Sequence, residues 1–145
     1  MFDQYFDDLE VGDRRAFKGV TVTEAHIVGF AGITGDHYAL HTDATYAEGT
    51  MFGQRIAHGL LVLSCSVGLV PLEPGRVLAF LGLDKVRFSA PTYIGDTIHP
   101  EVAITGKRAT DDGGIVVVGH EVKNQRGETV CSASLKLLMA GRPPS

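Results

Sequence analysis

The sequence predicts an α+β protein in which a curved antiparallel sheet wraps one buried helix. Three observations carry that prediction. The stretch RIAHGLLVLSCSVGLVP is apolar nearly all round from Ile56 to Val70 and stops at Pro71, as a helix without a polar face does. Four long segments follow, 76–91, 96–110, 113–125 and 128–141, rich in β-branched residues and largely alternating. PTYIGD, DDGG and NQRGE punctuate them as turns, which makes successive strands antiparallel.

Residues 14–22, RRAFKGVTV, read as a first strand. Thr23 is an N-cap candidate for a short amphipathic helix, in which Ile27, Phe30, Ala31 and Thr34 recur at helical spacing. TDATYAEG can add one or two further turns. The apolar helix then needs cover on several sides, and the four strands supply it. In the last of them Cys131, Ala133, Leu135, Leu137 and Met139 form one face, with Ser132, Ser134 and Lys136 opposite. The tail Gly141-Arg142-Pro143-Pro144-Ser145 reads as frayed. An outer sheet face with apolar residues and open edges is commonly resolved by pairing two subunits, so a homodimer, or a higher oligomer, is expected.

Composition bounds the function. A chain of 145 residues with no repeat or linker fits one domain, 1–145, and can bury a real core. The net charge of −4 argues against a nucleic-acid partner, which needs a basic footprint. The N-terminus has no basic and apolar leader, and the longest apolar run is shorter than the roughly 20 residues that span a bilayer, so no membrane partner is expected. Cys65 and Cys131 form no CxxC and lie in apolar segments, as buried thiols do in a reducing, cytoplasmic setting.

GITGDHYALH, residues 32–41, holds an Asp and two His among residues with no other charge. Asp36 and His41 are five apart, about 140° around a helix and on opposite faces of a strand, so they converge only off regular structure. Gly32 and Gly35 favour that. Three readings are open: a capped turn, a metal site using His37, His41 and His58, or acid–base chemistry on a shared water. Against metal, no HExxH pattern is present. For proton transfer, a pocket burying Asp36 would bring the two proton affinities closer. Gly59 lies near the start of the apolar helix, where free N–H groups and the dipole favour an oxygen gaining negative charge. Close packing would equally explain that glycine, and a hydrogen bond to a neighbouring loop would explain His58.

GDHYALH followed by RIAHGLLVLS and then VRFSAPTYIGD resembles the MaoC-like dehydratase family, which includes R-specific enoyl-CoA hydratases. The resemblance runs from about residue 8 to 139. It implies a hotdog fold, normally dimeric, with Asp36 and His41 as the catalytic dyad and Gly59 as the amide that binds the thioester oxygen. The implied reaction is reversible addition of water to a trans-2-enoyl-CoA, giving an R-3-hydroxyacyl-CoA. No cofactor is implied beyond the acyl-CoA, which is itself the substrate.

The chain departs from the family pattern in one place: Tyr38-Ala39 stands where Asn-Pro is usual. Losing the proline loosens the turn, and Tyr38 brings a phenol to the acyl pocket. A serine that supports the Asp in some hydratases falls at Val67 here, with Ser64 and Ser66 nearby. By position beside the motifs, Arg55, Lys85 and Arg87 are candidate contacts for the CoA phosphates, and Tyr38 and His58 are further pocket candidates. Two other functions compete. A hotdog thioesterase does not need His41, and a non-catalytic acyl-CoA-binding subunit should have lost one dyad residue. SCSVG is not a GxSxG elbow, which argues against a serine hydrolase.

Overall fold

In a computed structural model that describes residues 1–144, the four alternating segments are long strands of one curved, six-stranded antiparallel sheet. β1 (Arg14–Ala16) and β2 (Val20–Thr21) are short; β3 (Val77–Phe88), β4 (Thr97–Thr110), β5 (Gly113–Lys123) and β6 (Thr129–Ala140) are long. The order is β1-β4-β5-β6-β3, with β2 also on β4. β3 is therefore an edge.

The single strand expected over residues 14–22 is instead two. β1 pairs with 101–103 and β2 with 97–98, leaving Phe17–Gly19 opposite His99 and Pro100. Pro100 has no N–H to give at that gap, although its carbonyl accepts from the Phe17 amide at 3.0 Å. The alternation read from β6 holds: Cys131, Ala133, Leu135, Leu137 and Met139 are buried, and they share the core with Ile98, Val102, Ile104, Val116, Val118 and Val122.

Four α-helices lie in the first half of the described residues: α1 (Glu24–Thr34), α2 (Ala39–Thr42), α3 (Ala44–Glu48) and α4 (Gly59–Gly68). Thr23 is the N-cap of α1, with His26 Nδ1 accepting from the Thr23 amide at 3.0 Å. The helix ends at Gly35, whose φ of 76° lies in the left-handed region open to glycine. Of the expected apolar face, Ile27 and Ala31 are buried, Phe30 is half-buried and Thr34 is exposed.

α4 is shorter and less enclosed than the apolar run suggests. It begins at Gly59, and Leu60, Ser64 and Gly68 form an exposed stripe at four-residue spacing. The sheet covers only the side of Leu61, Val62, Leu63 and Ser66, so a helix apolar all round is covered on one side by its own chain. Ser66 fastens it: its hydroxyl donates to the Leu63 carbonyl (2.8 Å) and accepts from His120 Nε2 on β5 (2.9 Å).

Of the tail expected to fray, Gly141 and Arg142 are held. The Gly141 amide donates to the Asp112 carbonyl and the Arg142 amide to Asp7, while the Arg142 guanidinium pairs with Asp8. Ser145 lies outside the described residues.

Candidate active site

Asp36, His41 and Gly59 come from three different settings and meet at one end of α4. Asp36 follows Gly35, so the left-handed turn that ends α1 sets the carboxylate's direction. Its own amide donates to Thr34 Oγ1 (3.2 Å), and its Oδ1 accepts from the Tyr38 amide (3.2 Å), an Asx turn that replaces a proline-fixed one. His41 sits on the single turn of α2. One carboxylate oxygen of Asp36, one ring nitrogen of His41 and one of His58 lie within 4.8 Å of one another.

The ring of His41 has a defined orientation. Its Nδ1 is 2.7 Å from the Ile56 carbonyl, which can only accept, so Nδ1 carries the hydrogen and Nε2 is left to exchange a proton with a water. The clamp is reciprocal, because the Ile56 amide donates to the Leu40 carbonyl at 3.3 Å. Ile56 and Ala57 are in turn bridged to Thr92 and Tyr93, so the loop before α4 is fixed to the loop before β4.

Gly59 is the first residue of α4, and its amide meets no acceptor among the described residues. Gly59 and His41 line the same cavity, of about 380 Å³, walled by Met51, Phe52, Val62, Phe88, Thr92 and Val130 among others. A side chain at Gly59 would be impossible as packed: a Cβ there would stand 2.9 Å from Phe88 ring carbons. The site can therefore hold an apolar chain beside a carbonyl at the helix end and a water at the imidazole.

Other expected residues fall differently. Asp36 is exposed in the isolated chain, so the burial expected of it is not supplied there. Tyr38 does not line the cavity; it is exposed, edge-on to His41 with centroids 5.8 Å apart, and its hydroxyl is 3.5 Å from that of Tyr46. Arg55 is not a free cation. It makes a two-pronged pair with Glu24 (2.9 and 2.5 Å), which holds that carboxyl below its ordinary value and ties α1 to the loop before α4. Lys85, at a β-bulge with φ 54°, and Arg87 are exposed on β3 beside Phe88. His58 is buried behind His41 rather than on the cavity wall. Ser66 is engaged with His120 and Leu63, Ser64 is exposed, and neither hydrogen-bonds Asp36.

Metal binding fits poorly. His37 is exposed and outside the cluster, while Asp36, His41 and His58 have the right donor types. But His41 and His58 are stacked at 3.9 Å with 28° between planes, so their in-plane lone pairs run side by side instead of converging. The sequence reading missed Phe88 and the Ile56 carbonyl. Phe88 lies beside Arg87 in VRFSAP, where an aromatic residue reads as an ordinary strand residue; the Ile56 contact is main chain and leaves no side-chain signature.

Comparison with known proteins gives the arrangement its relatives. The family model described as MaoC like domain matches residues 8–126. "Protein MaoC" of Klebsiella aerogenes is 39% identical over 110 residues, 75% of this chain but 32% of that protein. The chain thus spans about a third of that relative's length. The (R)-specific enoyl-CoA hydratase of Rhodospirillum rubrum is 36% identical over 105 residues, 70% of each chain. Among solved structures, a monoamine oxidase regulatory protein from Archaeoglobus superposes with a TM-score of 0.91 at 39% identity, covering 97% of this chain and 96% of that one. A Mycobacterium tuberculosis protein described as a double hotdog fold matches at TM-score 0.83 and 23% identity, over 98% of this chain and 46% of that one, and shows the fold alone.

Proposed function

Because the chain belongs to the MaoC-like domain family, we propose that it is a hydro-lyase acting on acyl-CoA thioesters, adding water reversibly to a trans-2-enoyl-CoA to give the R-3-hydroxyacyl-CoA. One observation carries the reading: His41 and Gly59 line a single apolar cavity, with the Asp36 carboxylate beside the imidazole. The relatives named as enoyl-CoA hydratases and dehydratases support it.

In this reading the thioester oxygen accepts from the Gly59 amide, which polarises the conjugated double bond and makes C3 electrophilic. A water held by Asp36 and His41 gives one proton to the dyad as its oxygen bonds to C3. The dyad returns one proton to C2, so it ends the turnover in its starting state. No cofactor is needed, since charge builds only on the thioester oxygen. Lys85 and Arg87, exposed on β3 near the cavity-lining Phe88, would be the cations that meet the CoA phosphates, Arg55 being taken by Glu24.

The same reading makes the working unit a homodimer. Edge strand β3 exposes Leu78, Phe80, Leu81, Leu83 and Phe88, a row of apolar side chains beside unpaired backbone. Two free thiols, Cys131 buried and Cys65 half-buried, support a reducing, cytoplasmic setting, and no described helix is long and apolar enough to cross a membrane.

A panel of enoyl-CoA thioesters assayed with the wild type, Asp36→Asn and His41→Ala tests the proposal. Each variant should lose roughly 100- to 10,000-fold in hydration rate. Wild-type rates in both variants would refute the dyad. Release of free thiol, with no 3-hydroxyacyl-CoA formed, would make the protein a thioesterase instead.

A further inference from the structure

The dyad and the helix amide belong to separate segments, and one buried side chain touches or adjoins all three. His58 is 2% exposed. Its Nε2 lies 2.9 Å from the backbone carbonyl of Asp36, and its ring stacks on that of His41. It is also the N-cap of α4, directly before Gly59, and Phe30 of α1 packs against it at 4.9 Å between centroids.

We propose that His58 is a positioning residue that sets the spacing of the Asp36–His41 pair and ties both to the helix end bearing the Gly59 amide. The proposal rests on the hydration reading above. It does not make His58 a substrate contact, because the ring lies behind His41 and off the cavity wall.

The chemistry of the ring separates this role from packing. The Asp36 carbonyl only accepts, so His58 Nε2 carries the hydrogen. The other nitrogen, Nδ1, is buried with no partner among the described residues, and an unmade bond of that kind carries a cost in stability. A phenyl ring would fill the space without that cost. What imidazole adds is the bond to Asp36. The two stacked rings then hold opposite tautomers, His41 with its hydrogen on Nδ1 and His58 on Nε2.

Asp36 needs such an anchor. It is exposed, it follows a left-handed glycine, and the residue pair after His37 lacks the proline that would stiffen the loop. Besides His58, the backbone at Asp36 and His37 is held by short-range bonds to Thr34 Oγ1, the Gly35 carbonyl and Thr42 Oγ1. A misplacement of about 1 Å in a catalytic group can cost on the order of 100-fold in rate.

Two substitutions divide the contacts. His58→Gln keeps an N–H donor at similar reach and removes the ring; His58→Phe keeps the stack and removes the donor. In enoyl-CoA hydration each should lower kcat by about tenfold to 100-fold while leaving KM within about twofold, because neither alters the cavity wall. Long-range proton–nitrogen NMR of the wild type supplies a readout that needs neither variant nor substrate. It should show hydrogen on Nε2 of His58 and on Nδ1 of His41. The ring protons of His41 should lie upfield and move downfield in His58→Gln but not in His58→Phe. Wild-type kcat in both variants of an active hydratase would overturn the proposal, and so would the reverse tautomers in the wild type. A wild type that hydrates no enoyl-CoA would sink the hydration reading instead, while the tautomers and ring shifts would still decide the positioning. If neither variant folds, the wild-type spectrum decides alone.

Discussion

Gly59→Ala tests the helix end most directly. The added Cβ would sit 2.9 Å from three carbons of the Phe88 ring, against the 3.4–4 Å of ordinary contact, so the ring or the helix end must move by about 0.5 Å. Those carbons include Cγ, near the ring's attachment, so the ring cannot escape by a small tilt. Two effects oppose each other in stability. Alanine is the better helix former by about 1 kcal/mol, whereas overpacking costs about 1–3 kcal/mol. A net loss of roughly 1 kcal/mol follows. The effect on rate should be larger. Complete loss of an oxyanion donor costs roughly 100- to 1,000-fold in kcat, and an amide shifted by about half an ångström should lose about tenfold to 100-fold. The assay is decay of enoyl absorbance at saturating substrate, alongside thermal unfolding. Combining the change with Phe88→Ala removes the clash, so the amide can return and kcat should rise from that of Gly59→Ala to that of Phe88→Ala alone. A wild-type kcat in Gly59→Ala, with the midpoint lowered, would show that Gly59 serves only packing against Phe88.

Three further outcomes are expected. Burial pushes His120 from 6.5 down to about 4, so the unfolded chain takes the proton first as pH falls. The stability His120 confers is thus whole above pH 6.5 and lost between there and about 4, by about 3 kcal/mol in total. Urea unfolding across that window should be steeper in pH for the wild type than for His120→Gln; equal slopes would refute the assignment. Cys131 is fully buried, with its thiol pushed up to about 11, so a thiol reagent at neutral pH should reach it only after unfolding, and prompt labelling in the native protein would contradict the core described. Leu81→Asp and Leu83→Asp on the edge strand should convert a dimer to monomers in sedimentation and leave the far-UV spectrum unchanged; an unaltered sedimentation coefficient would place the interface elsewhere.

The long strands were legible because period-2 alternation is a local property, and the face of Cys131, Ala133, Leu135, Leu137 and Met139 could be read directly. The split of 14–22 was not, because its cause, Pro100, lies some 80 residues away on the partner strand. The open stripe of α4 was hidden for a related reason: Leu60, Ser64 and Gly68 carry no charge to mark an outward face. In the site, Asp36 and His41 stood out as ionisable groups at a spacing regular structure cannot use. What the composition of the motif concealed was main-chain chemistry. The Ile56 carbonyl that orients His41 and the Asp36 carbonyl that engages His58 belong to every residue type alike. The pairing of Arg55 with Glu24 is hidden by distance, 31 positions apart.

The strand order also sets an expected sequence of events in folding. β4, β5 and β6 are consecutive and joined by tight turns, so their closure entropy is small. β1 must cross to β4 and β3 to β6 over far longer loops, and the helical segment between β2 and β3 carries Asp36, His41 and Gly59. Folding by least loop cost therefore raises the three-strand meander first and seats the reactive segment last. Pulsed hydrogen exchange would record this as early protection at Val116 and Leu135 and late protection at His41; simultaneous protection would refute the order. A protein arrested partway would then be a formed sheet with no dyad, sensitive to changes at the helix end that leave its strands untouched.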